Sequence, residues 1–271
     1  GIFATGYWRF GQFVRGPSAT LAYARDVWAH REARYLGHNP LGGWMVLVML
    51  AQAAVGLIET WFVGKLGTDA LAGMALVFPA VMLMQMMSAG AMGGGIASAI
   101  ARALGARRRD DANALVFHAL VIALLFAALF TLAMLMGGRW LYTRMGGTGA
   151  ALDAALQYSN WVFAGAVLVW LFNSLSAIIR GTGNMAVPAF VTVGGLVLLI
   201  PLSPLLIFGW GPVPAMGIAG GALALLVYYA LGTAVLVAYM RTSKSLLRLQ
   251  WAHSVLRWPL FWDILQVGLI G

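Results

Sequence analysis

The sequence predicts an all-α membrane protein, a polytopic bundle of six transmembrane helices. Apolar residues make up 62% of its 271 residues and charged residues only 9%, whereas soluble domains contain about 25% charged residues. Six apolar runs are each long enough to cross a hydrocarbon core of about 30 Å as a helix. They comprise residues 41–63, 71–101, 113–136, 152–179, 186–208 and 215–240.

Two flanking segments complete the predicted organisation. Residues 1–40 form a basic arm with scattered aromatic side chains, predicted to be interfacial or disordered. Residues 41–257 form the six-helix lobe, and residues 258–271 are the start of a seventh helix that is cut off. The second and fourth runs are longer than a bilayer requires, so we expect them to tilt or to extend beyond it.

The basic residues predict the orientation of the helices. Fourteen of the seventeen lie in the arm, in residues 102–109, at Arg180 and in residues 241–257, which alternate correctly with six spans. Lys65, Arg139 and Arg144 lie on the opposite side. By the positive-inside rule both chain ends are expected to be cytoplasmic, in a bacterial-type inner (plasma) membrane. The charge of +9 therefore indicates a lipid bilayer as partner and no nucleic acid.

Glu59 is the only ionisable residue of the first run. Gln52 precedes it by seven residues, nearly two helical turns, so both side chains lie on one face, and that face is expected to line a cavity. Burial in a low dielectric favours a protonated carboxyl group, so Glu59 is a candidate for proton or cation coupling. The alternative is that Glu59 reaches the outer headgroups and only anchors the helix end.

Other polar groups and two prolines interrupt the apolar runs. Pro201 and Pro204 free backbone carbonyls that can serve as ligands in a broken helix, or produce a packing kink that Ser203 satisfies. Asn173, Ser176 and Gln85 are candidates either for a substrate cavity or for interhelical hydrogen bonds. His118 is expected to be interfacial. Tryptophans fit interface belts or stack on a flat cationic substrate; they are Trp61, Trp140, Trp161, Trp170 and Trp210.

No hydrolase, kinase or metalloprotease motif is present, and the four histidines are scattered. The chain contains no cysteine, which excludes a thiolate metal site and a cysteine nucleophile. We therefore predict that the protein is not an enzyme and has no metal site and no cofactor other than a coupling ion.

Two segments resemble those of a known family. Residues 59–76, ETWFVGKLGTDALAGMAL, resemble the exit of the first helix in multidrug and toxic compound extrusion (MATE) transporters, an acidic residue before a Val-Gly-x-Leu-Gly turn and Ala-Leu-Ala. RGTGNMAVPAF at residues 180–190 and the sequence of residues 203–224 are similar to the fourth-to-sixth helix region of that family. Residues 101–112 resemble its second cytoplasmic loop, and the matches run in order over residues 41–271.

The resemblance implies a secondary active transporter. Members of the family have twelve helices in two six-helix lobes around a central cavity, and they export organic cations and drugs in antiport with protons or sodium. This chain is then the amino-terminal lobe with the start of the seventh helix. Its expected partners are a small organic cation and a missing carboxy-terminal lobe or partner half.

Two departures from the family pattern concern the coupling ion. Glu59 stands where the family usually has Asp, and Leu199 and Ser203 stand where many members have Asn and Asp. Glu59, helped by Gln52, is then the only carboxylate in the predicted interior. A lone acid favours a proton over sodium, which usually requires several oxygen ligands.

Two other functions remain open at this point. A lipid-linked substrate flippase of the same superfamily is expected to hold a pyrophosphate with several basic residues, but none lies within the spans proper. A non-transporting membrane scaffold subunit predicts no substrate-dependent flux.

Overall fold

The computed structural model describes residues 56–247 and 255–270, with side chains to residue 268. From Ile58 onward the described residues belong to one compact unit, Ile58–Gly271. The only β interaction among the described residues is an isolated bridge between Trp210 and Val213, so the predicted all-α class is confirmed. The predicted arm, residues 1–40, and Gln52 lie outside the described residues.

Nine helices can be numbered along the described ranges. Residues 56–64 are the described part of α1. The others are α2 (Thr68–Gln85), α3 (Gly93–Gly105), α4 (Arg109–Arg144), α5 (Gly149–Ala164), α6 (Ala166–Gly181), α7 (Ala186–Phe208), α8 (Ile218–Arg241) and α9 (Trp258–Ile270). A π-helical segment, Met86–Met92, joins α2 to α3 without a break, and we call it the π segment.

Most of the predicted spans are present with small changes in their bounds. In the described part of the chain, four helices are long and apolar enough to cross a membrane, and the bent pair α5 and α6 makes a fifth. The run predicted at residues 186–208 coincides with α7, whereas the predicted first run lies mostly outside the described residues. The second span extends over Thr68–Gly105, beyond its predicted bounds.

The fourth predicted run is not one straight helix but two, bent by 48° at Gly165. Leu226 of α8 occupies the space where a side chain of Gly165 would lie, so this close approach requires glycine. Thr131 of α4 donates a hydrogen bond of 2.6 Å to the carbonyl oxygen of Phe163 and so satisfies a backbone acceptor next to the break. A bend therefore accommodates the excess length of the fourth predicted run.

Trp170 lies in the centre of the lobe and not in an interface belt. Its side chain is fully buried, and its indole ring stacks on Phe126 of α4 at 5.1 Å between ring centroids. Phe130, one turn further along α4, contacts the same indole. The other four tryptophans named above are exposed, as an interface position requires. Trp170 is thus an exception among tryptophans expected mostly in interface belts, because composition alone does not distinguish a lipid-facing from a core-facing aromatic residue.

Helix α9 is attached to the lobe at the basic end, which we define by the arginine-rich ends of α3, α4, α6 and α8. Arg102 of α3 forms an ion pair of 2.7 Å with Asp263, and Arg257 forms one of 3.0 Å with Asp111. His118 of α4 is fully buried, and its Nε2 accepts a hydrogen bond of 2.8 Å from the backbone N–H of Arg257. This bond ties α4 to the start of α9, and the expectation that His118 lies at the depth of the membrane interface stays a prediction.

Glycines allow α9 to approach α3 and the π segment closely. A methyl carbon at Gly95 would lie 2.5 Å from the carbonyl oxygen of Ile264 and 3.1 Å from the backbone nitrogen of Gly268. The backbone at Gly268 in turn lies against Met92 and the carbonyl of Ala91. Small residues are the usual means by which membrane helices come into backbone contact.

The neighbouring residues Gly94 and Gly95 provide a matched test of this contact. We expect Gly95→Ala to lower the apparent melting temperature of the full-length protein in detergent by about 3–8 °C, because the methyl group overpacks the contact. Gly94→Ala should have no destabilising effect, because nothing lies within 4 Å of its would-be methyl group. Fluorescence-detected size exclusion after heating measures both. Equal melting temperatures for the two variants would contradict the close contact.

Candidate functional site

Glu59 lies on α1 in the interior of the lobe. Its side chain is half-buried, and its Oε1 atom is buried without a hydrogen-bond partner among the described residues. The side chain of Ser203 lies beside the carboxyl group. The Oγ atom of Ser203 is also buried without a hydrogen bond of ordinary geometry. Two adjacent oxygen atoms are thus available to a small cation or a proton.

Two tyrosines surround Glu59 from other helices. Tyr158 of α5 and Tyr229 of α8 are both nearly buried, and each is within electrostatic range of the carboxylate. The two tyrosines are also within electrostatic range of each other. The polar groups near Glu59 are thus hydroxyl groups, and no positive charge among the described residues interacts with its carboxylate.

A hydrogen-bonded cluster continues from Tyr229 towards the basic end. The Nε2 atom of Gln85 donates to the Tyr229 hydroxyl. Asn173 of α6 donates from Nδ2 to Oε1 of Gln85 at 3.2 Å and to Oγ of Ser88 at 2.8 Å. Ser88 completes the cluster with a bond of 3.4 Å to the carbonyl oxygen of Gln85. Three helices therefore meet around one glutamine.

The residues around Glu59 and the hydrogen-bonded cluster around Gln85 occupy different depths of the lobe. At about 1.5 Å per residue, Ser203 lies about 8 Å and Tyr158 about 14 Å from the helix ends opposite the basic end. Asn173 lies about 12 Å from the basic end of α6, and Tyr229 lies near the middle of α8. Tyr229 is hydrogen-bonded to Gln85 and lies within electrostatic range of Glu59, so it links the two groups between Glu59 and the centre of the lobe.

The structure brings together most of the residues that the sequence indicated, in pairs that the sequence did not predict. Gln85 is hydrogen-bonded to Asn173, and Ser203 lies beside Glu59. Ser176 is buried, one turn from Asn173, but its hydroxyl has no partner among the described residues and does not join the cluster.

Pro201 and Pro204 do not interrupt α7, which is helical through both of them. Pro201 is exposed, and so are the side chains of Val197 and Ile200, one turn before the two prolines. Their predicted role in supplying carbonyl ligands is left as a prediction.

Sequence reasoning missed Tyr158 and Tyr229. Both lie well inside apolar runs, at a depth where a hydroxyl group needs a partner. That depth was the available signal. It was obscured because tyrosine also occurs in interface belts and because Tyr229 directly follows Tyr228.

Within the described residues, no group of three or more His, Cys, Asp or Glu side chains is placed to hold a metal ion. The site that they do form contains one carboxylate, several hydroxyl groups and two amides. This chemistry suits reversible protonation or a weakly held monovalent cation better than a divalent metal.

Comparison with known proteins agrees with this picture. The MatE family model matches residues 45–205. The chain is 31% identical over 193 residues to the probable multidrug resistance protein NorM of Deinococcus radiodurans, a match that covers 67% of this chain and 40% of that protein. It is 28% identical over 170 residues to the FAD transporter of Shewanella oneidensis, covering 63% of this chain and 37% of that protein.

Solved structures match over most of the chain. An outward-facing MATE family transporter of the MOP superfamily superposes with a TM-score of 0.76 and 29% identity, covering 83% of this chain and 49% of that chain. An inward-facing structure of such a transporter gives 0.75 and 29%, covering 80% and 49%. A MATE structure in the bent conformation gives 0.76 and 26%, covering 96% and 54%.

The chain spans about half the length of the solved transporters and less than half of the two relatives named above. The family model nevertheless covers more than half of this chain, and the predicted resemblance is confirmed. The protein is an integral membrane protein that belongs to the MatE family, the MATE transporters.

Proposed function

We propose that this chain is the amino-terminal half of a secondary active transporter that exports organic cations or drugs in antiport with protons. The observation that carries the proposal is the buried carboxyl group of Glu59, whose Oε1 atom has no hydrogen-bond partner among the described residues. A proton and a cationic substrate can each neutralise this carboxylate, but they compete for it. Competition for one charge is sufficient to couple the two movements in opposite directions.

The charge distribution favours a cation over an anion as substrate. Glu59 contributes a negative charge to the interior, whereas the arginines of the described helices lie near their ends, at the basic end or opposite it. An anion such as the FAD named for the Shewanella relative would need positive groups at that depth, as would the pyrophosphate of a flippase substrate. Among the described residues no Lys, Arg or His interacts with Glu59, and the Arg180 guanidinium lies against Gly93, next to the π segment.

The proposed coupling ion is the proton. Ser203 supplies one hydroxyl group where a second carboxylate would complete a sodium site, and sodium prefers several oxygen ligands including charged ones. For orientation we propose that the basic end faces the cytoplasm of an inner (plasma) membrane, in accordance with the positive-inside rule.

One prediction of the proposed function concerns Glu59 itself. Glu59→Gln keeps the size of the side chain but cannot exchange a proton, so we expect at least a 10-fold loss of efflux of a fluorescent organic cation from cells expressing the full-length protein. Asp69→Asn is the matched control, because Asp69 is an exposed carboxylate in the first turn of α2. Normal export by Glu59→Gln at native expression would reduce Glu59 to an anchor and contradict the proposal.

Another prediction concerns the coupling ion. Efflux by the native protein should be nearly equal in sodium and potassium media, whereas Ser203→Asp should be stimulated by sodium about 3-fold, because two carboxylates close together favour a bound cation. Ser203→Asn, similar in size but uncharged, should not respond to sodium. Sodium stimulation of the native protein would show that Glu59 alone is not the coupling site for a proton.

A further inference from the structure

The π segment is an unusual local structure at a central position. It occupies Met86–Met92 within an otherwise α-helical span of 38 residues, Thr68–Gly105. A π turn contains an extra residue, has less favourable backbone packing than an α-helix, and occurs mostly at functional positions. Ser88 and Met92 within it are both fully buried, whereas Met86 is exposed, so the segment turns one face to the core of the lobe.

The start of the π segment is bound to the hydrogen-bonded cluster around Gln85. Gln85, the last residue of α2, is hydrogen-bonded to both Tyr229 and Asn173, and Asn173 also bonds Ser88 inside the segment. Any reorganisation of the Gln85 amide therefore changes the side-chain bonds that hold the first turn of the π segment.

The end of the π segment contacts α9. Met92 and the carbonyl of Ala91 lie against the backbone at Gly268, and Gly95, three residues further on, lies against Ile264. At both glycines the neighbouring helix touches the backbone directly, because glycine has no side chain. They restrict the rotation of α3 relative to α9, because rotation in one direction would bring the larger Ile96 in place of Gly95.

We propose that the π segment transmits the charge state of Glu59 to α9. This inference rests on the proposed function, in which Glu59 gains and loses a proton. The titratable groups that face Glu59 are Tyr158 of α5 and Tyr229 of α8, and no Lys, Arg or His among the described residues interacts with it. The hydroxyl dipoles of these tyrosines therefore respond directly to the charge on Glu59.

The transmission depends on the Tyr229 hydroxyl, which can both donate and accept a hydrogen bond. It accepts a hydrogen bond from Gln85, which leaves its own proton free to point along the field of an ionised Glu59. When Glu59 is neutral that field is absent, and the hydroxyl can donate instead. Donation to Gln85 requires its amide to turn over, so that Oε1 accepts from Tyr229 and Nε2 points at Nδ2 of Asn173. Two donors cannot hydrogen-bond each other, so the bond of 3.2 Å from Asn173 is lost and the anchor of the π segment is weakened.

Release of the π turn has a defined geometric consequence. An α-helix advances about 100° per residue. If the π segment becomes a regular α-helix, α3 therefore rotates about its axis by about 100°, roughly a quarter of a turn. Gly95 would then leave its contact with Ile264 and Gly268. A local exchange of hydrogen bonds thus becomes a movement of α9.

Spin-label distances in the full-length protein test this transmission. This chain contains no cysteine, so Leu125→Cys on α4 and Trp262→Cys on α9, both at exposed positions, introduce the only thiols in it. We expect the distance between the two labels to change by several Å between about pH 8 and about pH 5. Tyr229→Phe, which removes only the hydroxyl, should abolish the change.

Three further variants make the test selective. Tyr228→Phe is the matched control, because Tyr228 neighbours Tyr229 but makes no hydrogen bond to Gln85, and it should keep the pH response. Gln85→Met, an apolar side chain of similar length, should lose the response in the same way as Tyr229→Phe. It provides an independent reading if Tyr229→Phe is unstable. Glu59→Gln should lose the response as well.

The outcomes separate this inference from the proposed function. A pH response that disappears in Glu59→Gln but persists in Tyr229→Phe and Gln85→Met overturns transmission through the π segment and leaves Glu59 as the coupling group. A response that persists in Glu59→Gln shows that another group senses pH and contradicts both. The absence of any response in the parent overturns the inference alone, because the efflux of Glu59→Gln is measured independently.

Discussion

The desolvated carboxyl group of Glu59 is the constraint around which the lobe is arranged. A carboxylate in a low dielectric destabilises the fold unless dipoles surround it or a proton neutralises it. Ser203, Tyr158 and Tyr229 supply those dipoles from three different helices. None of them supplies a compensating positive charge. The free energy of the site therefore depends on what occupies it, which is the property that the proposed antiport requires.

Close helix packing positions these dipoles. Gly165 lets α5 and α6 bend against Leu226, so Tyr158 and Asn173 lie on two differently directed helices that face the same interior. Gly95 and Gly268 bring α9 onto the π segment in the same manner. In a membrane such contacts replace the hydrophobic driving force, because lipid chains are as apolar as the side chains themselves. Glycine thereby determines both the shape of the lobe and the position of its polar groups.

Sequence reasoning was strongest where one physical signal dominates. Hydropathy gave the bounds of α7, and the lone acid in an apolar run indicated Glu59, because charges in membranes are rare and costly. The bend at Gly165, the buried Trp170 and the pairing of Gln85 with Asn173 were not predicted. Each depends on which neighbouring helix faces a given residue, and one sequence read for composition and period contains no information on that neighbour.

The central claim is that a proton and an organic cation compete for Glu59. The most direct measurement is proton release when an organic cation is added to the purified full-length protein in a weakly buffered detergent solution at about pH 5, where Glu59 carries its proton, followed with a pH-sensitive dye. The account predicts about one proton released per cation bound by the native protein and none by Glu59→Gln. Equal proton release by the two proteins would place the exchangeable proton elsewhere and contradict the account.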